Sequence, residues 1–233
     1  MKNVLKNIIE NEHSNKYIIF KEYCLLKDKG LRKESFKALD SFINELRKRD
    51  LTLQQDFADW LFSIFERSED IHHVLVYPLE EQILKPLLDE WIDLNPQDIR
   101  PYKWYGLFLH SENQINYLNK ALELGGNKEQ LVIIRLIESY FDSLWFSFHH
   151  ISEDLYLGSL AADKYLINKL EHLAPMVKDE QYKINLLEGI IYYTNLLNDW
   201  IKFKEEGCEG FVKWCKNKGK VYQWVEHYYY GLE

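Results

Sequence analysis

The amino-acid sequence predicts an all-α protein, and three observations carry the prediction. Nearly every segment repeats apolar residues at intervals of three and four, and none alternates strictly at two, which is the period of helices rather than strands. Only 10 Gly and 5 Pro interrupt 233 residues, about half the usual share of breakers, so the elements are long. Hydrophobic residues make up 46% of the chain against 28% charged, enough apolar surface to close a core and too much for a disordered segment. The length fits one large domain or two small ones, and residues 1–233 are expected to form a single helical domain.

Taken in order, residues 16–29 place Tyr17, Ile18, Phe20, Tyr23, Cys24 and Leu26 on one stripe, with Gly30 as the C-terminal cap. A second helix over 33–49 presents Phe36, Leu39, Phe42, Ile43 and Leu46, and ends in Arg47, Lys48 and Arg49, where the helix dipole favours cations. These two form a helical hairpin. Thr52 can cap the next helix, whose Phe57, Trp60, Leu61, Ile64 and Phe65 face inward, and the polar SEDIHH stretch ends it. Pro78 opens a helix that runs to about Leu94 and contains Pro86. That ring removes a backbone donor and clashes one turn back, so a kink or break is expected there. Asn95-Pro96 stops it. Helices follow over 99–110 and 112–124, the latter closed by Gly125-Gly126, then over 128–148 and 152–173, closed by Pro175. The last third predicts a helix over 179–205 and two short ones at Phe211–Lys216 and Val221–Tyr230, divided by Gly207 and Gly219. Short connectors imply antiparallel neighbours.

Charge is unevenly spread. Residues 1–50 carry 12 basic and 8 acidic side chains, and residues 51–100 carry 3 and 11, within a net charge of −8. A chain this acidic repels a phosphate backbone, which argues against nucleic-acid binding. The acidic block reads either as a solvated helix face or as a docking surface for a basic protein. Cys24, Cys208 and Cys215 have no CxxC spacing, so no disulfide framework is implied. The first residues lack the apolar run of a secretory leader, and nowhere do about 18 apolar residues follow one another. A cytoplasmic protein without a membrane span is therefore expected.

One stretch has a recognisable pattern. LNPQDIRPYKWYGLFL followed by INYLNKALELGGNKEQ resembles the tetratricopeptide repeat: Leu94 and Pro96 match its helix ending, Tyr102 its aromatic, Gly106 its glycine, and Ala121-Leu122-Glu123-Leu124 its closing segment. Small residues at Gly106 and Ala121 suit two helices that cross closely. The stretch departs from the pattern in having 15 residues from Gly106 to Ala121 where 19 are expected, and in having Gly126 for the closing proline. Residues 87–128 hold the match.

The resemblance implies antiparallel hairpins stacked as a right-handed α-solenoid, with a concave face that binds peptides or proteins and C-terminal helices over about 208–230 that cap the stack. Carried over by position, the groove residues are Arg100, Lys103, Leu107 and His110, and in the next helix Ile133, Ile137, Tyr140 and Phe141. Arg100 and Lys103 could hold a peptide carboxylate or form a solvated basic pair. The second set equally fits a core stripe. Trp224 and Tyr228, at i and i+4, fit core packing at the end of the stack.

Catalytic signatures are missing: there is no G-x-S-x-G, Walker-type loop or GxGxxG. The pairs His72-His73 and His149-His150 are metal-ligand types, but adjacent helical residues point about 100° apart and cannot share a metal as an i, i+4 pair does. Cys208 and Cys215, seven apart, could share a helix face. The expectation is a non-catalytic scaffold for a protein or peptide, without cofactor or metal. Two alternatives stand beside it, an acidic immunity- or antitoxin-type inhibitor of a basic toxin or nuclease and a metal-dependent enzyme using the histidine pairs. Nothing in the sequence singles out a partner or an oligomeric state.

Overall fold

The computed structural model describes residues 4–224. Every regular element among them is helical, and the chain divides into two compact units, Met1–Leu124 and Gly125–Glu233.

The first unit holds α1 (Val4–Glu10), α2 (Ile18–Asp28), α3 (Arg32–Leu46), α4 (Leu51–Phe65), a short α5 (Tyr77–Leu79), α6 (Lys85–Leu94), α7 (Ile99–Phe108) and most of α8 (Gln114–Gly125). α1, which the sequence pattern does not predict, buries Val4, Leu5 and Ile8 against α2 and α4. α2 and α3 pack along each other across the turn at Gly30, whose φ of 73° lies in the left-handed region that suits the predicted cap. Their buried faces meet in rings. Phe20, Phe42, Phe57 and Trp60 form one cluster, with Phe20 and Phe57 edge to face at 5.0 Å. Each such side chain contributes about 1.5–3 kcal/mol by leaving water. A second cluster joins Phe62, Phe65, Trp91, Trp104 and Phe108.

The cap of α4 is Asp50, not Thr52: its carboxylate accepts from the Leu53 amide at 2.9 Å. The helical run carrying Pro86 does not break. It widens into a π-turn at Glu80–Leu84 between α5 and α6. The Gln82 carbonyl, one turn before the proline that cannot donate to it, accepts from Arg47 Nε at 3.2 Å. The close crossing expected at Gly106 is present. A Cβ there would sit 2.6 Å from Leu118 Cγ, and Ala121 is fully buried.

The second unit holds α9 (Gln130–Phe148), α10 (Leu160–Leu173), α11 (Glu180–Glu206) and α12 (Phe211–Asn217), with α10 packed on both α9 and α11. α10 begins eight residues later than its sequence pattern predicts. Loop 154–159 is instead held by a buried polar knot, in which Ser147 and Tyr156 donate to the Asp163 carboxylate at 3.0 and 2.6 Å. Gly158 is pressed into that knot, where a Cβ would lie 2.4 Å from Ser147 Oγ. Gly207, at φ 64°, ends α11. Asp154 caps α12 from a distance, accepting from the amides of Gly210 and Phe211 at 3.0 and 2.6 Å. Residues 221–224 of the helix expected over Val221–Tyr230 are not helical, and the rest, Tyr228 included, lies outside the described residues.

Candidate functional site

The basic residues of the expected groove are all engaged by acids of their own unit. Arg100 lies 4.7 Å over the Trp91 ring and pairs with Asp98 at 2.7 Å and Asp59 at 3.1 Å. Asp98 in turn accepts from Trp91 Nε1 at 3.1 Å. Burial alone would raise the Asp98 carboxyl, but the hydrogen bonds from Arg100 hold it below the usual carboxylate range. Lys103 pairs with Glu66 at 2.7 Å, and Glu66 also accepts from Trp104 Nε1. The His110 side chain is 88% exposed, yet its Nδ1 and its backbone amide both reach the buried Glu80 carboxylate, at 2.9 and 2.6 Å. Burial opposes ionisation of Glu80 as well, and the two His110 contacts with Lys85 overcome it, so this carboxyl too is held low.

The apolar members lie deeper. Leu107 is 8% exposed and Tyr140 5%, and Ile133 and Ile137 are buried, so these are core side chains. Phe141 packs on Gly189, where a Cβ would fall 2.8 Å from the ring. The predicted residues therefore split between the two units, and Arg100, Lys103 and His110 in the first are held by Asp59, Asp98, Glu66 and Glu80.

A different surface in the first unit is open. α2, α3 and α4 enclose a cleft of about 680 Å³ whose floor is Tyr17, Ile19, Phe42 and Leu46. Ile18, 71% exposed, and Leu53, 41% exposed, also line it. Its charged members are Lys16 and Arg49 on one hand and Glu45 and Asp56 on the other. Arg49 pairs with Glu45 at 2.7 Å. Burial first, and the Asp56 charge second, raise the Tyr17 hydroxyl above its ordinary range, so it remains a hydrogen-bond donor at neutral pH.

Sequence reasoning put Tyr17 and Ile18 on an inward stripe with Phe20. A helical wheel keeps Tyr17 on the side of Phe20 but separates Ile18, two positions from Phe20 and about 200° around the helix. Leu53 does share the face of Phe57, one turn away, but lies in the first turn of α4, where the neighbouring helices no longer cover it.

The remaining candidates are dispersed. The His72 and His73 rings lie tilted to each other at 4.2 Å, as do those of His149 and His150. Among the described residues no group of three or more His, Cys, Asp or Glu is placed to hold a metal ion. Cys208 precedes α12 and is exposed, whereas Cys215 is buried within α12, so the two do not share a helix face. Burial pushes the Cys215 thiol up to about 11, and also raises that of the buried Cys24. Among the described residues no helix is long and apolar enough to cross a membrane. No protein-family model, curated protein or solved structure matches the chain.

Proposed function

We propose that this chain is a non-catalytic scaffold that binds a protein or peptide segment, with its helices arranged as tetratricopeptide-like antiparallel hairpins in a right-handed solenoid. The observation that carries the reading is the cleft of α2, α3 and α4. It has an apolar floor, a rim of both charges, and Ile18 and Leu53 left in water beside it. An open groove with an apolar floor is the shape that takes a partner's apolar anchors, as when an amphipathic helix lies in a groove. The close crossing of α7 and α8 at Gly106 supports the repeat-like arrangement.

Selection of peptides from a displayed library on the full chain tests the proposal. Peptides that bind wild type should lose about tenfold in affinity on Leu53→Asp and on Ile18→Asp, which place a charge against their apolar anchor. Both residues are exposed, so the fold should be unchanged by circular dichroism. Peptides that bind both variants as well as wild type would sink the reading.

The inhibitor alternative has one observation of its own. Asp89, Glu90 and Asp93 stand exposed on one turn of α6, while Glu66, Glu80 and Asp98 of the same acidic block are turned inward. A basic partner steered by that turn should associate more slowly with the variant Asp89→Asn/Glu90→Gln/Asp93→Asn at low salt, and equally at high salt. Unchanged kinetics at low salt would exclude that turn.

A further inference from the structure

The second unit carries a cleft of different chemistry. Trp145 of α9, Tyr192 and Tyr193 of α11, and Tyr222 and Trp224 line an open depression of about 870 Å³. Its wall is continuous, because successive rings pack edge to face: Tyr193 to Tyr192 at 5.2 Å, Tyr192 to Tyr222 at 5.7 Å, and Tyr222 to Trp224 at 5.6 Å. Two hydrogen bonds fix the wall. The Tyr222 hydroxyl donates to the buried Asp199 carboxylate at 2.5 Å, and the Tyr192 hydroxyl to the Gln223 carbonyl at 3.3 Å. Trp145 is 50% exposed and stacks on His149 at 4.6 Å, so one face of the indole is backed by another ring.

Besides the tyrosine hydroxyls, the polar members of the cleft among the described residues are two amides, Asn185 and Gln223, and one carboxylate, Glu188. Among the described residues no Lys or Arg lines it. Asp142 adds to the negative field: the Tyr193 hydroxyl is pushed up to about 12, by burial first and then by Tyr192 and Asp142. Ring faces carry negative potential as well. The site therefore attracts cations and disfavours anions. An aliphatic ligand would strip water from Glu188 and both amides without replacing their hydrogen bonds.

Elsewhere the chain shows what a cation does with a ring and a carboxylate. Arg100 lies over Trp91 and pairs with Asp98, which also accepts from the Trp91 indole. Lys218 lies 5.5 Å from the Trp214 ring centroid and pairs at 3.1 Å with Glu206, which again accepts from the indole. The cleft brings together an indole and a carboxylate, and among the described residues no Lys or Arg lines it beside them. We propose that it binds an arginine side chain of a partner peptide, the guanidinium stacking on Trp145 and pairing with Glu188 while Asn185 and Gln223 take the peptide's backbone groups. Its residues are separate from those of the α2, α3 and α4 cleft, so either site can fail without the other.

The test titrates the full chain with acetyl-Gly-Arg-Gly-Arg-Gly-amide and with the same peptide carrying citrulline, which keeps the shape of arginine without its charge. Calorimetry gives affinity, and tryptophan emission reports the site. The arginine peptide should bind at least about tenfold more tightly than the citrulline peptide, and Glu188→Gln and Trp145→Ala should each remove about tenfold. Glu188→Asp should recover part of the loss. Equal affinity for the two peptides, affinity unmoved by Glu188→Gln, or no binding at millimolar peptide would each overturn the proposal. Should Trp145→Ala disturb the fold, the near-isosteric Glu188→Gln still decides.

Discussion

Gly106 and Glu80 mark the two kinds of residue on which the first unit depends. At Gly106 an added methyl would meet Leu118 Cγ at 2.6 Å and the Leu118 backbone nitrogen at 3.0 Å. Alanine gains about 1 kcal/mol of helix propensity, but forcing α7 and α8 apart costs more. Gly106→Ala should therefore lower stability by about 1–2 kcal/mol net, read as a fall in the urea midpoint with unchanged slope. This requirement was legible through the resemblance to the tetratricopeptide pattern, which places a glycine there. Glu80 was not legible, because the amide and imidazole of His110, 30 residues away, satisfy it. Glu80 and Asp98 both have folded-state carboxyls held below their unfolded values. Their contribution is whole above the unfolded carboxylate range of about 4 and is lost as pH falls through the lower folded values. Urea midpoints taken from pH 7 down to pH 3 should fall, and Glu80→Gln should flatten that fall while costing about 2 kcal/mol at pH 7.

At the scale of elements, local signals located helices well and their ends less well. Gly30, Pro96, Gly126 and Gly207 stop helices where the sequence places them, because each acts through its own backbone. The start of α10 was missed because the helical period continues through loop 154–159, whose shape depends on a buried bond between Ser147 and Asp163 that no period records. The cap of α12 is equally non-local. Asp154, itself in the left-handed region at φ 60°, reaches across more than fifty residues to the Gly210 and Phe211 amides. Asp154→Ala loses both bonds and strains the turn, and should cost about 2 kcal/mol. Asp154→Asn tolerates the turn and keeps an acceptor oxygen, so it should cost less. Hydrogen exchange at the first amides of α12 separates the two outcomes: fast in the alanine variant, intermediate in the asparagine variant.

For the whole molecule, the periodicity established the helical class, whereas the cleft of α2, α3 and α4 depends on which apolar residues their neighbours fail to cover. The division into two compact units makes a calorimetric prediction. Heat absorption should resolve into more than one cooperative step, Gly106→Ala moving one and Asp154→Ala the other. A single step shifted by both variants would show that the two cores melt together. The cysteines supply a second readout of the same question. Cys208 faces solvent, while Cys24 lies sealed in the first unit and Cys215 in the second. A thiol-specific dye added to the native protein should mark Cys208 alone, making the chain a single-site conjugate without engineering. Under a heating ramp with pulsed dye, the order in which Cys24 and Cys215 become reactive should reveal which core opens first.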